Sequence, residues 1–346
     1  MRVHGGNVLE YGGDFLDFSS NLNLFFPKWV LENAWREVSL SQVMLHPSVY
    51  PHRLEAVLEE LLGLEGCVVV LPGSVYGIHL LVQFVKPGRV VIPVPTFNEY
   101  ERVARVSGVE VFFHELREEQ GFKLCLGELA SELEEGDLVF VCNPNNPTGG
   151  VFGSDEVKGL IRWAKYKEAV VVFDEAFIDF TELCGASELV RENSHVFVLR
   201  SFTKFFCVPG LRVGYLLAER GKAEKLRELV PSWSVPVYAE EMLVRLLRFG
   251  VNREVIKRQI AGERLFLNRS LSGLGFEVFP SAVNFLFVKT PRNVKASQLK
   301  KGLLERKILV RDFPEYEFLG DRFIRISVRK RFDNERLVEA VKEVLG

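Results

Sequence analysis

Short, unbroken apolar runs alternate along this chain with stretches of helical spacing, and that rhythm narrows the fold more than any other feature. Cys67–Leu71, Val109–Phe113, Leu138–Cys142, Val170–Phe173 and Val196–Leu199 are continuous apolar runs, the pattern of strands covered on both faces. Val90–Ile92 and Arg212–Leu217 read as two further strands. Ser74–Val85, Asn98–Val106 and Asp155–Tyr166 have helical spacing, the last with Ser154 as its N-cap. Alternation with short links predicts an α/β fold, a mostly parallel sheet with helices on both sides. Beyond about Glu240 the texture changes to long charged helices and a few short strands, which predicts a smaller α+β domain. The expected division is residues 1–40 packing with the small domain, 41–240 as the large domain and 241–346 as the small C-terminal domain.

Composition removes several classes of function. The formal charge is −2 with 26% charged residues, so neither nucleic acid nor a membrane surface is expected as a partner. Six histidines are scattered without metal-ligand spacing, so no metal is expected. Five cysteines without a CxxC pair read as reduced, and the opening Met1–Gly6 has no apolar run of a signal peptide. A cytoplasmic location is therefore expected. No G-x-G-x-x-G follows a strand, which argues against a nicotinamide-binding protein.

The chemistry concentrates in Ser201-Phe202-Thr203-Lys204-Phe205-Phe206-Cys207-Val208-Pro209-Gly210-Leu211-Arg212. A lysine alone is usually a solvated surface charge. Here a hydroxyl stands three residues before the amine and a guanidinium eight after, which is what a pyridoxal 5'-phosphate (PLP) enzyme needs. Lys204 would form the Schiff base, while Ser201 and Arg212 hold the cofactor's phosphate. Val170–Phe173 runs into Asp174, which reads either as a helix cap or as the partner of the cofactor's ring nitrogen. Leu138–Cys142 runs into Asn143-Pro144-Asn145-Asn146-Pro147-Thr148-Gly149. That segment is either a plain turn or a device presenting Asn146 to the ring's phenolic oxygen. Gly73, Ser74 and Val75 open a helix whose N–H groups and dipole suit a phosphate, though many α/β turns carry Gly-Ser. Phe97 would stack on the ring, or lie in the core like most of the other phenylalanines. The conjunction of these elements at successive strand ends, in this order, favours the functional reading.

With these motifs the chain resembles the fold-type I, class I/II aminotransferases over essentially its whole length. NPNNPTG, DEAFIDF and SFTKFFCVPGLRVGY carry the resemblance, and within the family it lies nearest the branch of L-threonine-O-3-phosphate decarboxylases and histidinol-phosphate aminotransferases. The resemblance implies the PLP-dependent transferase fold and a homodimer with shared active sites. It assigns His4, Asn21 and Arg311 to a substrate phosphate, Arg325 to the substrate carboxylate, and Asn146 to both cofactor and substrate. The family's Tyr-Pro-Asp-Pro segment is altered here to His46-Pro47-Ser48-Val49-Tyr50-Pro51, so His46 or Tyr50 would reach the neighbouring cofactor. Phe177 stands where many aminotransferases carry Tyr, and Leu24 where Pro is expected. The expected activity is decarboxylation of L-threonine O-3-phosphate, a step of cobalamin biosynthesis. The alternative is transamination of histidinol phosphate with 2-oxoglutarate in histidine biosynthesis.

Overall fold

Thirteen short strands and their connecting helices build two compact units in the computed structural model, which describes residues 5–12 and 14–346. In chain order the strands are β1 (Leu16–Asp17), β2 (Val68–Leu71), β3 (Arg89–Val94), β4 (Glu110–Glu115), β5 (Leu138–Cys142), β6 (Val170–Asp174) and β7 (Val196–Ser201). They continue with β8 (Gly214–Leu217), β9 (Glu277–Val278), β10 (Phe285–Lys289), β11 (Ile308–Leu309), β12 (Arg311–Asp312) and β13 (Phe323–Ser327).

The larger unit, Pro27–Asn145 with Val151–Val251, holds a seven-stranded sheet of order β2-β8-β7-β6-β5-β3-β4. Strands β3 to β7 pair parallel, while β8 runs antiparallel to both its neighbours. Every residue of β2, β5, β7 and β8 is buried, the two-sided cover that unbroken Val-rich runs require. The smaller unit joins the described residues up to Phe26 to Asn146–Gly150 and Asn252–Gly346. Its sheet is antiparallel, ordered β12-β13-β10-β9, with β1 and β11 as a separate parallel pair.

Three sequence expectations change. The boundaries at 40 and 240 become 26 and 251, because the helix Lys28–Arg36 packs on the helix Val237–Arg248 and so belongs to the larger unit. Asn146–Gly150 joins the smaller unit, where Gly149 accepts from the Ala282 N–H at 3.0 Å. Ser154 is the first residue of its helix and does not cap it; the N-cap is Gly153, whose N–H donates to Glu156 at 2.7 Å.

Candidate active site

Asp174, Lys204 and Phe97 lie at or just beyond the carboxyl ends of the parallel strands β6, β7 and β3, where ligand sites of open α/β sheets form, while Ser74 follows β2 and Arg212 precedes the antiparallel β8. β7 ends at Ser201, and a four-residue helix, Phe202–Phe205, carries Lys204 away from it. The Ser201 hydroxyl accepts from the Thr203 N–H at 3.3 Å and pairs with the Thr203 hydroxyl at 2.8 Å. The Lys204 ammonium lies 5.9 Å from the centre of the Phe177 ring, within reach of a cation–π attraction.

Asp174 ends β6, in register with Cys142 of β5 and Leu199 of β7. The carboxylate is buried, and both oxygens are engaged: Oδ1 accepts from the Ala176 N–H at 3.0 Å and Oδ2 from the Tyr100 hydroxyl at 2.6 Å. Burial pushes the Asp174 carboxyl above its ordinary range, while Tyr100, Ala176 and the Lys204 charge pull it back down. Tyr100 is fully buried and stacked on Phe140, with ring centres 4.9 Å apart and planes at 5°. Phe97, three residues earlier, meets Tyr100 edge-on at 5.6 Å and is itself only half-buried.

A second feature is an anion cradle. Gly73 sits at φ +92° before the helix Ser74–Val85, whose N-terminus no side chain caps. Its leading N–H groups, including those of Ser74 and Val75, and its positive dipole end suit a phosphate. A Cβ at Gly73 would come 3.1 Å from the Arg212 guanidinium, so glycine is what lets that cation lie against the turn. Arg212 is itself held in the left-handed region, φ +53°, and not in the strand expected from Arg212 onward. A Cβ at Gly214 would come 2.7 Å from both the Ser74 nitrogen and the Arg200 carbonyl, so β8 approaches the cradle only as glycine.

In the smaller unit β13 carries Arg325, paired in antiparallel register with Arg311 of β12. The Arg325 guanidinium is buried; it donates to the Asn146 side-chain oxygen and, at 2.5 Å, to the Ser19 carbonyl. Its Nε–H has no partner among the described residues, and neither have the buried Asn21 Oδ1 and Ser327 hydroxyl. Burial, with the Arg311 charge beside it, pushes Arg325 down to about 9. Asn146 spends its carbonyl on Arg325, which leaves its amide N–H groups as the donors available to a ligand. Arg311 pairs with Glu315 and lies 5.2 Å over the Phe313 ring. His4 lies outside the described residues.

Two readings of the sequence need revision or addition. Tyr50 does not fit the role of reaching a neighbouring cofactor. Its hydroxyl is buried, donates to Glu55 and accepts from the Val70 N–H at 2.8 Å. His46, by contrast, is exposed, its ring 6.0 Å from that of Trp233. Sequence reasoning missed Tyr100 altogether, although its position one helical turn after Phe97 was the available signal. It also missed the ion pair between Glu175 and Arg200, adjacent in sequence to Asp174 and Ser201. Arg200 donates to Glu175 at 2.8 Å and to the Ser187 hydroxyl at 2.5 Å, while Glu175 accepts from the Ala186 N–H at 2.6 Å. The pair ties the ends of β6 and β7 together. Among the described residues no cluster of His, Cys, Asp and Glu is arranged to hold a metal, and no helix is long and apolar enough to cross a membrane.

Comparison with known proteins gives a family profile, two relatives and a solved structure, all within one family. The profile of the family "aminotransferase class I and II" matches residues 13–341. A Caldanaerobacter subterraneus subsp. tengcongensis protein, provisionally named a threonine-phosphate decarboxylase, is 34% identical over 345 residues, 98% of this chain and 93% of that protein. The histidinol-phosphate aminotransferase of Thermoanaerobacter pseudethanolicus is 32% identical, covering 92% of this chain and 90% of its own length. The crystal structure of histidinol-phosphate aminotransferase from Clostridium acetobutylicum superposes with a TM-score of 0.87 at 28% identity, over 95% of this chain and 98% of that one.

Proposed function

Since the chain belongs to the aminotransferase class I and II family of PLP-dependent enzymes, we propose that it binds PLP and acts on a phosphorylated amino acid, L-threonine O-3-phosphate, as a decarboxylase. The donor set of the larger unit fits that cofactor. Asp174 is a buried carboxylate whose hydrogen-bond donors among the described residues, Tyr100 and Ala176, are neutral, so a protonated ring nitrogen would complete it. Ser74, Val75, Ser201 and Arg212 supply N–H, hydroxyl and guanidinium donors for a phosphate, and Phe97 offers a half-buried ring. When bound, PLP supplies a carbonyl carbon that captures the substrate amine and a ring that accepts the electron pair released at the α-carbon.

The chain's own residues do the rest. Lys204 provides the amine that anchors the cofactor and, once released, a base or acid for the proton at the α-carbon. Asp174 holds positive charge at the ring nitrogen, and Asn146 donates to the phenolic oxygen. Arg325 binds the substrate carboxylate and sets which α-carbon bond is poised to break; Arg311, with His4 and Asn21, takes the substrate phosphate. We further propose a homodimer in which His46 reaches the partner's cofactor phosphate.

One observation carries the substrate reading: the buried, partly unsatisfied guanidinium of Arg325 beside Arg311. Two adjacent buried cations with a donor to spare suit a dianionic substrate bearing both carboxylate and phosphate. The 32% identity to a histidinol-phosphate aminotransferase favours the second reading, transamination. Threonine phosphate presents a carboxylate to Arg325 and a phosphate to Arg311 in one molecule, whereas histidinol phosphate has no carboxylate and 2-oxoglutarate no phosphate, so only the first reading engages both cations at once. The test is to mix holoenzyme with each compound. Release of CO2 from threonine phosphate without a keto acid supports the decarboxylase; conversion of the cofactor to its pyridoxamine form by histidinol phosphate overturns it.

A further inference from the structure

We infer that Tyr100 is the positioning residue for Asp174, and that its hydroxyl keeps the proton shared between Asp174 and the cofactor on the ring nitrogen. This rests on the proposal that PLP is the cofactor. The geometry comes first. Tyr100 donates to Asp174 Oδ2 at 2.6 Å, a short charge-assisted bond. The phenol ring has little freedom to leave: it is fully buried, stacked on Phe140, and crossed edge-on by Phe97. The loop before it is fixed too, since the Thr96 hydroxyl donates to Asn145 at 2.8 Å and Asn145 donates to the Pro95 carbonyl at 3.0 Å.

A donor on a carboxylate stabilises its ionised form and lowers its affinity for a proton. Two further titratable groups act on the Tyr100–Asp174 pair: Cys142 from β5 and Lys204 from the helix after β7. Burial and the neighbouring carboxylate hold the Tyr100 phenol well above its ordinary value, so it stays protonated and donating at any working pH. Without that bond, the buried Asp174 would keep one neutral donor, the Ala176 N–H, and would take the shared proton more readily. The ring would then carry less positive charge and accept electrons less well. Asp174 alone therefore does not determine the state of the ring nitrogen; the Tyr100–Asp174 pair does.

The test uses holoenzyme reconstituted with PLP carrying nitrogen-15 in its ring. In the unaltered protein the ring signal should lie at the pyridinium position. Tyr100→Phe should move it toward neutral pyridine and lower kcat by about 10- to 100-fold, the worth of one hydrogen bond to a charged group, with KM changing far less. Replacing Tyr100 by 3-fluorotyrosine, a stronger donor of nearly the same shape, should keep the signal at or beyond the pyridinium position, and decides the matter if the Phe variant does not fold. A bound cofactor whose ring signal is unmoved by Tyr100→Phe, or moved toward neutral by the fluorinated residue, overturns the role of Tyr100 alone. Failure of the unaltered protein to bind PLP overturns the cofactor reading and this inference with it.

Discussion

Arg325 should stabilise a bound substrate while destabilising the protein that waits for it, and Arg325→Leu separates the two effects. The fall of its pKa from the ordinary arginine value to about 9 corresponds to about 5 kcal/mol at 1.36 kcal/mol per pH unit. The sign follows from linkage. The unfolded chain holds the proton more tightly than the native one from about 9 up to the ordinary arginine value, so stability rises with pH across that window. Below about 9 the full cost of burying the charge is present. Removing the guanidinium relieves that cost but leaves the Asn146 oxygen and the Ser19 carbonyl without their donor, about 1–3 kcal/mol for each. The ligand-free variant should therefore be about as stable as the parent, or up to about 3 kcal/mol more stable, in urea titrations. Its kcat/KM should fall by about 2–5 kcal/mol in transition-state terms, the penalty for leaving a buried anion unpaired. A variant that loses more than about 2 kcal/mol of stability yet keeps kcat/KM within about fivefold would show Arg325 to be a structural cation, and the reasoning would fail.

Three other outcomes are expected. Lys204→Ala should abolish turnover, and borohydride treatment of the holoenzyme should label the parent protein at this position but not the variant; equal labelling removes Lys204 from the reaction. Arg311→Ala should raise KM for a phosphorylated substrate by about 10- to 100-fold with kcat nearly unchanged, which initial rates against substrate concentration will check. Glu175→Gln breaks an ion pair whose carboxylate is fully enclosed, the two side chains being 0% and 11% exposed. It should cost about 3–5 kcal/mol in chemical denaturation, and a loss below about 1 kcal/mol would mean that the pair does not hold β6 to β7.

The alternation of apolar runs and helices was enough to specify most of the larger unit. β5 matches its predicted limits, as does the helix Ser74–Val85, because a strand buried on both faces or a helix in the core leaves an unbroken or periodic pattern in one stretch of chain. The same locality made Lys204, Asp174, Arg212 and the Gly73-Ser74 turn legible as candidates: each lies within a few residues of a strand end. Boundaries were less legible. The helix Lys28–Arg36 looks the same in sequence whichever unit it joins, and only its packing on Val237–Arg248 assigns it.

What tertiary structure alone decided are the relations between residues far apart in the chain. The sequence names a tyrosine at 100 and an aspartate at 174; nothing in it says that their oxygens lie 2.6 Å apart. Nor does it say that the Tyr50 hydroxyl is consumed by Glu55 and the Val70 N–H, or that Arg325 is buried with its Nε–H unspent. Backbone periodicity is written locally because each element satisfies its own hydrogen bonds and buries its own face. Desolvation and side-chain partnership are set by whatever the fold brings alongside, and these two quantities distinguish an ordinary tyrosine or arginine from one that works on a ligand.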